Sequence, residues 1–232
     1  MRPTCMPRNG ETLARAFTRT FTELLGPLGL VVLDESKSMK KYGNAPLEAL
    51  NRYILSLSLD PNASRISVGI ITFSDAHRVL VPIRPIRDVR AVEKYQPRGG
   101  TRLYGTLLDV FATIFDMVDH RGFEGNVILS CFTDGDDSRS QELIDDLRAL
   151  TARAKWNHWH DLYLYGIGVD AAAIAREMGF PDDPNHAITV GDSSEHIGAS
   201  MRHASMVTSM ASRGIRGRPI TVPYETVPPS EK

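Results

Sequence analysis

Five residues of this 232-residue chain carry oxygen side chains in a pattern suited to holding a cation: Asp34, Ser36, Ser38, Thr101 and Asp134. They lie in three short stretches, Asp34-Glu35-Ser36-Lys37-Ser38, Gly99-Gly100-Thr101 and Thr133-Asp134-Gly135. The set holds two carboxylates and three hydroxyls, with no thiol or imidazole. Hard oxygen donors of this kind select Mg²⁺, Mn²⁺ or Ca²⁺ over zinc. Two carboxylates among neutral hydroxyls leave a divalent ion under-neutralised, so it keeps water and accepts one more carboxylate from outside. A Glu or Asp supplied by a partner protein is the expected final ligand. In D-x-S-x-S, alternate side chains of an extended loop point the same way. The two glycines before Thr101 let backbone approach the loop, and Gly135 permits a sharp turn. Taken by itself, the first stretch also reads as a serine-rich turn that caps the helix after it.

The elements around these stretches must bring them together. Gly29 to Leu33 is a short apolar run ending at Asp34, read as a strand buried on both faces. Pro46 to Leu59 carries Leu47, Leu50, Ile54 and Leu57 at helical spacing, with proline in the first turn. Arg65 to Phe73 is a second strand. Arg78 to Ile83 pairs beside it, and Pro82 suits it to a sheet edge. Leu103 to Val118 is an amphipathic helix, Asn126 to Phe132 a buried strand, and Gln141 to Ala154 a helix capped by Ser138 or Ser140. Leu162 to Val169 is a strand, Asp170 opens a short helix over Ala171 to Met178, and Ala187 to Val190 is a last strand. Ser193 or Ser194 starts a helix reaching about Met206. Alternating strands and helices predict a doubly wound α/β sandwich, with a central, mostly parallel sheet and one antiparallel edge strand. In such a sheet ligands sit beyond the carboxyl ends of the strands, where Asp34 and Asp134 fall.

The motifs DESKS, GGT and TDG, each at the expected end or start of an element, resemble the metal-ion-dependent adhesion site of von Willebrand factor A domains. The resemblance implies that Ser36, Ser38 and Thr101 contact the metal directly and that Asp34 and Asp134 act through bound water. The stretches VVLDESKSM, PLEALNRYI, ISVGIITFSDAHRVLVPI and RGGTRLYGTLLD also resemble intracellular bacterial proteins linked to tellurium resistance. The domain is expected over residues 25–210. Residues 1–24 form an N-terminal extension with a possible helix over Glu11 to Leu25, and residues 211–232 an extended or disordered tail containing proline and arginine. Glu35 and Lys37 fill slots often held by small or uncharged residues. Both are expected to point away from the metal, and Lys37 would weaken cation binding if it folded inward.

The function expected is metal-dependent protein binding by an adaptor in a bacterial stress-response or multi-protein system. The resemblance implies partners such as AAA+ ATPases, kinases, phosphatases or stress-response proteins. The alternatives are a metal-dependent phosphoester hydrolase, with Asp136, Asp137 or His77 as general base, and a structural subunit whose metal site stays vacant. No nucleophile elbow or phosphate-binding P-loop motif is found, so no catalytic residue is assigned. The acidic pair Asp136 and Asp137 reads as a water-facing cap for the next helix. His158, His160 and Asp161 could hold zinc, but they read as a helix-to-strand corner packed with tryptophans. Arg98 and Arg102 flank Thr101, either to attract an acidic partner or as solvated charges. With 27 basic and 28 acidic residues the net charge is -1, which points to neither nucleic acid nor an acidic membrane. Cys131 reads as a buried strand thiol and Cys5 as a loose terminal one, so no disulfide framework is expected. The sequence contains no signal-like or membrane-spanning apolar run, and the expected location is the cytoplasm.

Overall fold

The computed structural model describes residues 26–135, 137–156 and 161–215. Six strands, Leu28–Asp34 (β1), Ser67–Phe73 (β2), His77–Pro85 (β3), Val127–Thr133 (β4), Leu162–Ile167 (β5) and Ala187–Val190 (β6), form one sheet in the order β3-β2-β1-β4-β5-β6. β3 runs antiparallel to β2 at the edge, and every other pairing is parallel. This is the expected doubly wound sandwich with one antiparallel edge strand. The helices are Ala45–Ser58 (α1), Leu103–Arg121 (α2), Ile144–Trp156 (α3), Ala171–Met178 (α4) and Ser194–Ser212 (α5).

β1 is apolar up to Leu33 because both of its faces are covered. Leu28, Leu30 and Val32 pack with α2, α3 and α4, while Val31 and Leu33 face α1 and α5. Gly29 also points toward the α1 and α5 layer. A Cβ there would stand 2.6 Å from the Tyr53 hydroxyl and 2.9 Å from Thr208 Cγ2, so the absent side chain lets both helices sit close to the sheet.

The order of connections fixes where a ligand can sit. From β1 the chain passes through α1 to β2 on one side, and after the β2-β3 hairpin it returns through α2 to β4 on the other. β1 and β4 are neighbours, with Leu33 opposite Phe132. The two crossovers leave the sheet in opposite directions at this point, which opens a crevice at the carboxyl ends of β1 and β4.

Element boundaries differ from expectation by a few residues, and three of the differences have a local cause. β2 starts at Ser67, because Ala63–Arg65 is a tight 3-10 turn. Gln141–Leu143 is likewise 3-10, and α3 proper starts at Ile144. α5 continues six residues past Met206 to Ser212. Its buried face there is made of Val207 with Thr208 and Ser212, and the two hydroxyls donate to the carbonyls of Ala204 and Ser209. Polar letters thus conceal a core-facing stripe. The proposed helix within residues 1–25, Cys5, Asp136, the pair His158 and His160, and the tail from residue 216 lie outside the described residues. No helix among the described residues is long and apolar enough to cross a membrane.

Candidate metal centre

Asp34 ends β1 and is fully buried. Its Oδ1 accepts the Ser36 N–H at 2.7 Å, and its Oδ2 accepts the Thr133 hydroxyl from β4 at 2.8 Å. Burial pushes the Asp34 carboxyl up to about 6, although the bonds from Ser36 and Thr133 pull the other way. The chain then turns outward. Ser36 precedes the 3-10 turn Lys37–Tyr42, but its hydroxyl caps no backbone group. Instead it lies 2.9 Å from the Ser38 hydroxyl, which donates to Asp134 Oδ1 at 2.6 Å. Ser36, Ser38 and Asp134 therefore form one chain of oxygens across the crevice. The second carboxylate oxygen, Asp134 Oδ2, is buried, and among the described residues its neighbour is the Lys41 ammonium, which pairs with it at 3.1 Å.

Thr101 reaches the same region through its loop. The Gly99 carbonyl accepts the Lys37 N–H at 3.2 Å. Thr101 itself is tied by its N–H to Ser138 Oγ at 3.0 Å and by its carbonyl to the Ser138 N–H at 2.8 Å. Among the described residues no hydrogen bond joins its hydroxyl to Ser36, Ser38 or Asp134. Gly99 has φ +70°, the left-handed region that favours glycine. A Cβ there would lie 2.2 Å from Asp75 Oδ2, and Asp75 Oδ1 accepts the Gly100 N–H at 2.9 Å. Gly135, expected to supply a special turn, lies outside that φ region and has open space where a Cβ would go. Thr133 closes this turn instead: while its hydroxyl proton goes to Asp34 Oδ2, its oxygen accepts the Gly135 N–H at 3.3 Å.

A von Willebrand factor type A domain model matches residues 30–201. The chain belongs to the von Willebrand factor type A domain family. No curated protein matches it. Among solved structures, proximal thread matrix protein 1 of the mussel byssus is similar at 16% identity and a TM-score of 0.55, over 79% of this chain and 48% of that one. The pilus adhesin SpaC of Lactobacillus rhamnosus GG is similar at 14% identity and a TM-score of 0.59, over 79% of this chain and 30% of that one. The ArnB paralog VWA2 of Sulfolobus acidocaldarius is similar at 18% identity and a TM-score of 0.51, over 76% and 44%. The chain thus spans less than half the length of each of these structures, and the likeness is one of fold.

Around the oxygen cluster, this von Willebrand factor A domain uses two residues that sequence reasoning passed over, Tyr95 and Lys41, and gives Glu35 and Asp137 anchoring roles that it did not assign. Glu35 is buried and points away from Asp134. It accepts the Thr72 hydroxyl at 2.8 Å and the Gln96 N–H, and it pairs with Arg78 at 2.6 Å. The Tyr95 hydroxyl donates to the Asp34 carbonyl at 2.6 Å. Lys37 is exposed, and it is Lys41 that leans over the site. Asp137 does not face water. It is 2% exposed and accepts from the N–H groups of Tyr104, Arg139 and Ser140 and from the Ser140 hydroxyl. It therefore anchors the start of α2 to the loop that leads into α3. Among the described residues no cluster of three or more His, Cys, Asp or Glu side chains is found. Hydroxyls accordingly supply much of this oxygen set. Arg102 and His77 both face Asp109, at 3.0 and 3.3 Å. The Cys131 thiol is buried in β4, which pushes its pKa up.

Proposed function

We propose that this domain is a protein-binding module that holds a divalent cation at Ser36, Ser38, Thr101 and Asp134, with Asp34 behind them, and presents it to a carboxylate of a partner. The observation that carries this reading is the oxygen chain Ser36–Ser38–Asp134, which ends on a buried carboxylate oxygen held from the protein side by nothing but a half-exposed lysine among the described residues. A cation or its bound water would fit against this oxygen. The donors are all hard oxygens, which fits Mg²⁺ or Mn²⁺ and leaves Ca²⁺ possible on ligand type. When bound, the ion would supply a local positive charge with an open position for an external carboxylate. Asp34 would act by orientation: it fixes the Ser36 backbone and joins β1 to β4 through Thr133.

Von Willebrand factor A domains are protein-interaction modules as a family, which supports a partner that is a protein. The resemblance of the DESKSM and RGGTRLYG stretches to tellurium-resistance proteins suggests a bacterial stress-response assembly as the setting. Two groups named for a hydrolytic alternative are engaged elsewhere, Asp137 in backbone anchoring and His77 with Asp109.

Titration calorimetry with Mg²⁺ and Mn²⁺ on the wild type and Asp134→Ala, with partner capture in the presence and absence of EDTA, tests the proposal. The wild type should bind the cation and retain its partner only without EDTA, and Asp134→Ala should do neither. Equal cation affinity in the two proteins would overturn it.

A further inference from the structure

We propose that Lys41 is a built-in counter-cation that occupies the Asp134 carboxylate in the metal-free domain and competes with the divalent ion for it. This inference rests on the metal-binding reading of the site. The 3-10 turn Lys37–Tyr42 carries the chain back over the crevice, and the Lys41 ammonium comes to 3.1 Å from Asp134 Oδ2. The two ends of this pair differ sharply. The Asp134 side chain is 1% exposed, while that of Lys41 is 56% exposed. The carboxylate is fixed, with Oδ1 accepting the Ser38 hydroxyl. The ammonium sits on a flexible stem beside the Tyr42 ring, 4.8 Å from its centroid, and can withdraw into water. It also approaches the Asp134 oxygen that the Ser38 hydroxyl leaves free. A monovalent charge and a divalent ion cannot share this oxygen at low cost, because like charges a few ångströms apart repel.

Two consequences follow from the arrangement. Without metal, Lys41 offsets the cost of a buried unpaired carboxylate, so the loop remains folded. With metal, the ammonium must leave, so the cation affinity is lower than the ligands alone would give. Lys37, four residues earlier and exposed, forms no ion pair among the described residues and serves as the control for charge without contact.

The test compares wild type, Lys41→Met and Lys37→Met by Mn²⁺ titration calorimetry and by melting temperature in EDTA and in saturating Mn²⁺. Lys41→Met keeps the stem and removes the charge. It should bind Mn²⁺ roughly three- to fivefold more tightly than wild type, in the range expected of a partly exposed ion pair. It should also melt below wild type in EDTA, with the gap closing in Mn²⁺. Lys37→Met should change affinity by less than about twofold, since its charge is solvated and screened. Unchanged or weaker Mn²⁺ binding by Lys41→Met, or an equal gain in Lys37→Met, would overturn the proposal. If neither wild type nor Lys41→Met binds Mn²⁺, the metal-site reading itself fails. A lower melting temperature of Lys41→Met in EDTA would then still register the ion pair alone.

Discussion

Within the loop that follows β1, neighbouring side chains do opposite work. Ser36 and Ser38 turn toward Asp134, while Glu35 between them and Asp34 turns back toward β2 and the segment before Gly99. The loop is thereby fixed from behind while its hydroxyls face the crevice. Truncating Glu35 would strand the fully buried Thr72 hydroxyl and the Gln96 N–H, and would free Arg78. Leaving the buried Thr72 donor unpaired costs about 1–3 kcal/mol, while water can reach the exposed Gln96. Glu35→Ala should therefore lose about 1–3 kcal/mol in urea unfolding. Glu35→Gln, which keeps an acceptor for one donor, should lose less. A loss below about 0.5 kcal/mol for Glu35→Ala, the usual range for a surface change, would show that Glu35 does not anchor the loop.

At the scale of elements, three connections meet at the ends of β1 and β4, and their backbones hold one another. The 95–102 segment is bound to the first loop through Lys37 N–H to Gly99 O and Arg98 N–H to Glu35 O, and to the third through Thr101 and Ser138. Gly99 is the joint, with φ +70° and its Cα packed against Asp75. Gly99→Ala should cost about 1–2 kcal/mol for the left-handed backbone alone. It should also push Asp75 off the Gly100 N–H and Arg139. Cation affinity measured by calorimetry should fall with it, and unchanged stability and affinity together would sink the idea that this joint sets the loop. The strand ends and the three motifs were legible in the sequence because a doubly covered strand must be apolar and must stop where polar ligands begin. Lys41 and Asp137 were not. Lys41 returns to the site only through a 3-10 turn that has no hydrophobic period to reveal it. Asp137 reads as a solvent cap until the long-range approach of α2 buries it. The end of α5 was lost for a similar reason, since Thr208 and Ser212 satisfy their hydroxyls within the helix and so pack as small core residues.

For the whole molecule, the two helical layers bury titratable groups whose effects on folding oppose each other. His203 of α5 is 2% exposed, lies between Tyr163 and Tyr165 of β5, and is 2.8 Å by Nδ1 from the Tyr165 hydroxyl. Burial lowers its pKa from 6.5 to about 4, with the neighbouring His186 adding to the shift. Between those two values the unfolded chain takes up a proton that the folded one refuses, so stability is lost as pH falls from 6.5 to 4. Asp34 acts in the reverse sense. Its carboxyl is raised from 3.8 to about 6, so the folded protein holds a proton that the unfolded chain has released. Stability from this group is present below 3.8 and is lost as pH rises through 6. Each shift of two units or more corresponds to about 3 kcal/mol. The two oppose each other, so these groups together should change the unfolding free energy of the metal-free wild type less from pH 6.5 to 4 than either would alone. His203→Gln removes one side of the balance. Relative to wild type, this variant should gain about 3 kcal/mol between pH 7 and pH 4, whatever constant cost the lost packing adds. Urea unfolding of both proteins in EDTA across this range measures the difference. Parallel profiles would mean that His203 does not carry the opposing proton.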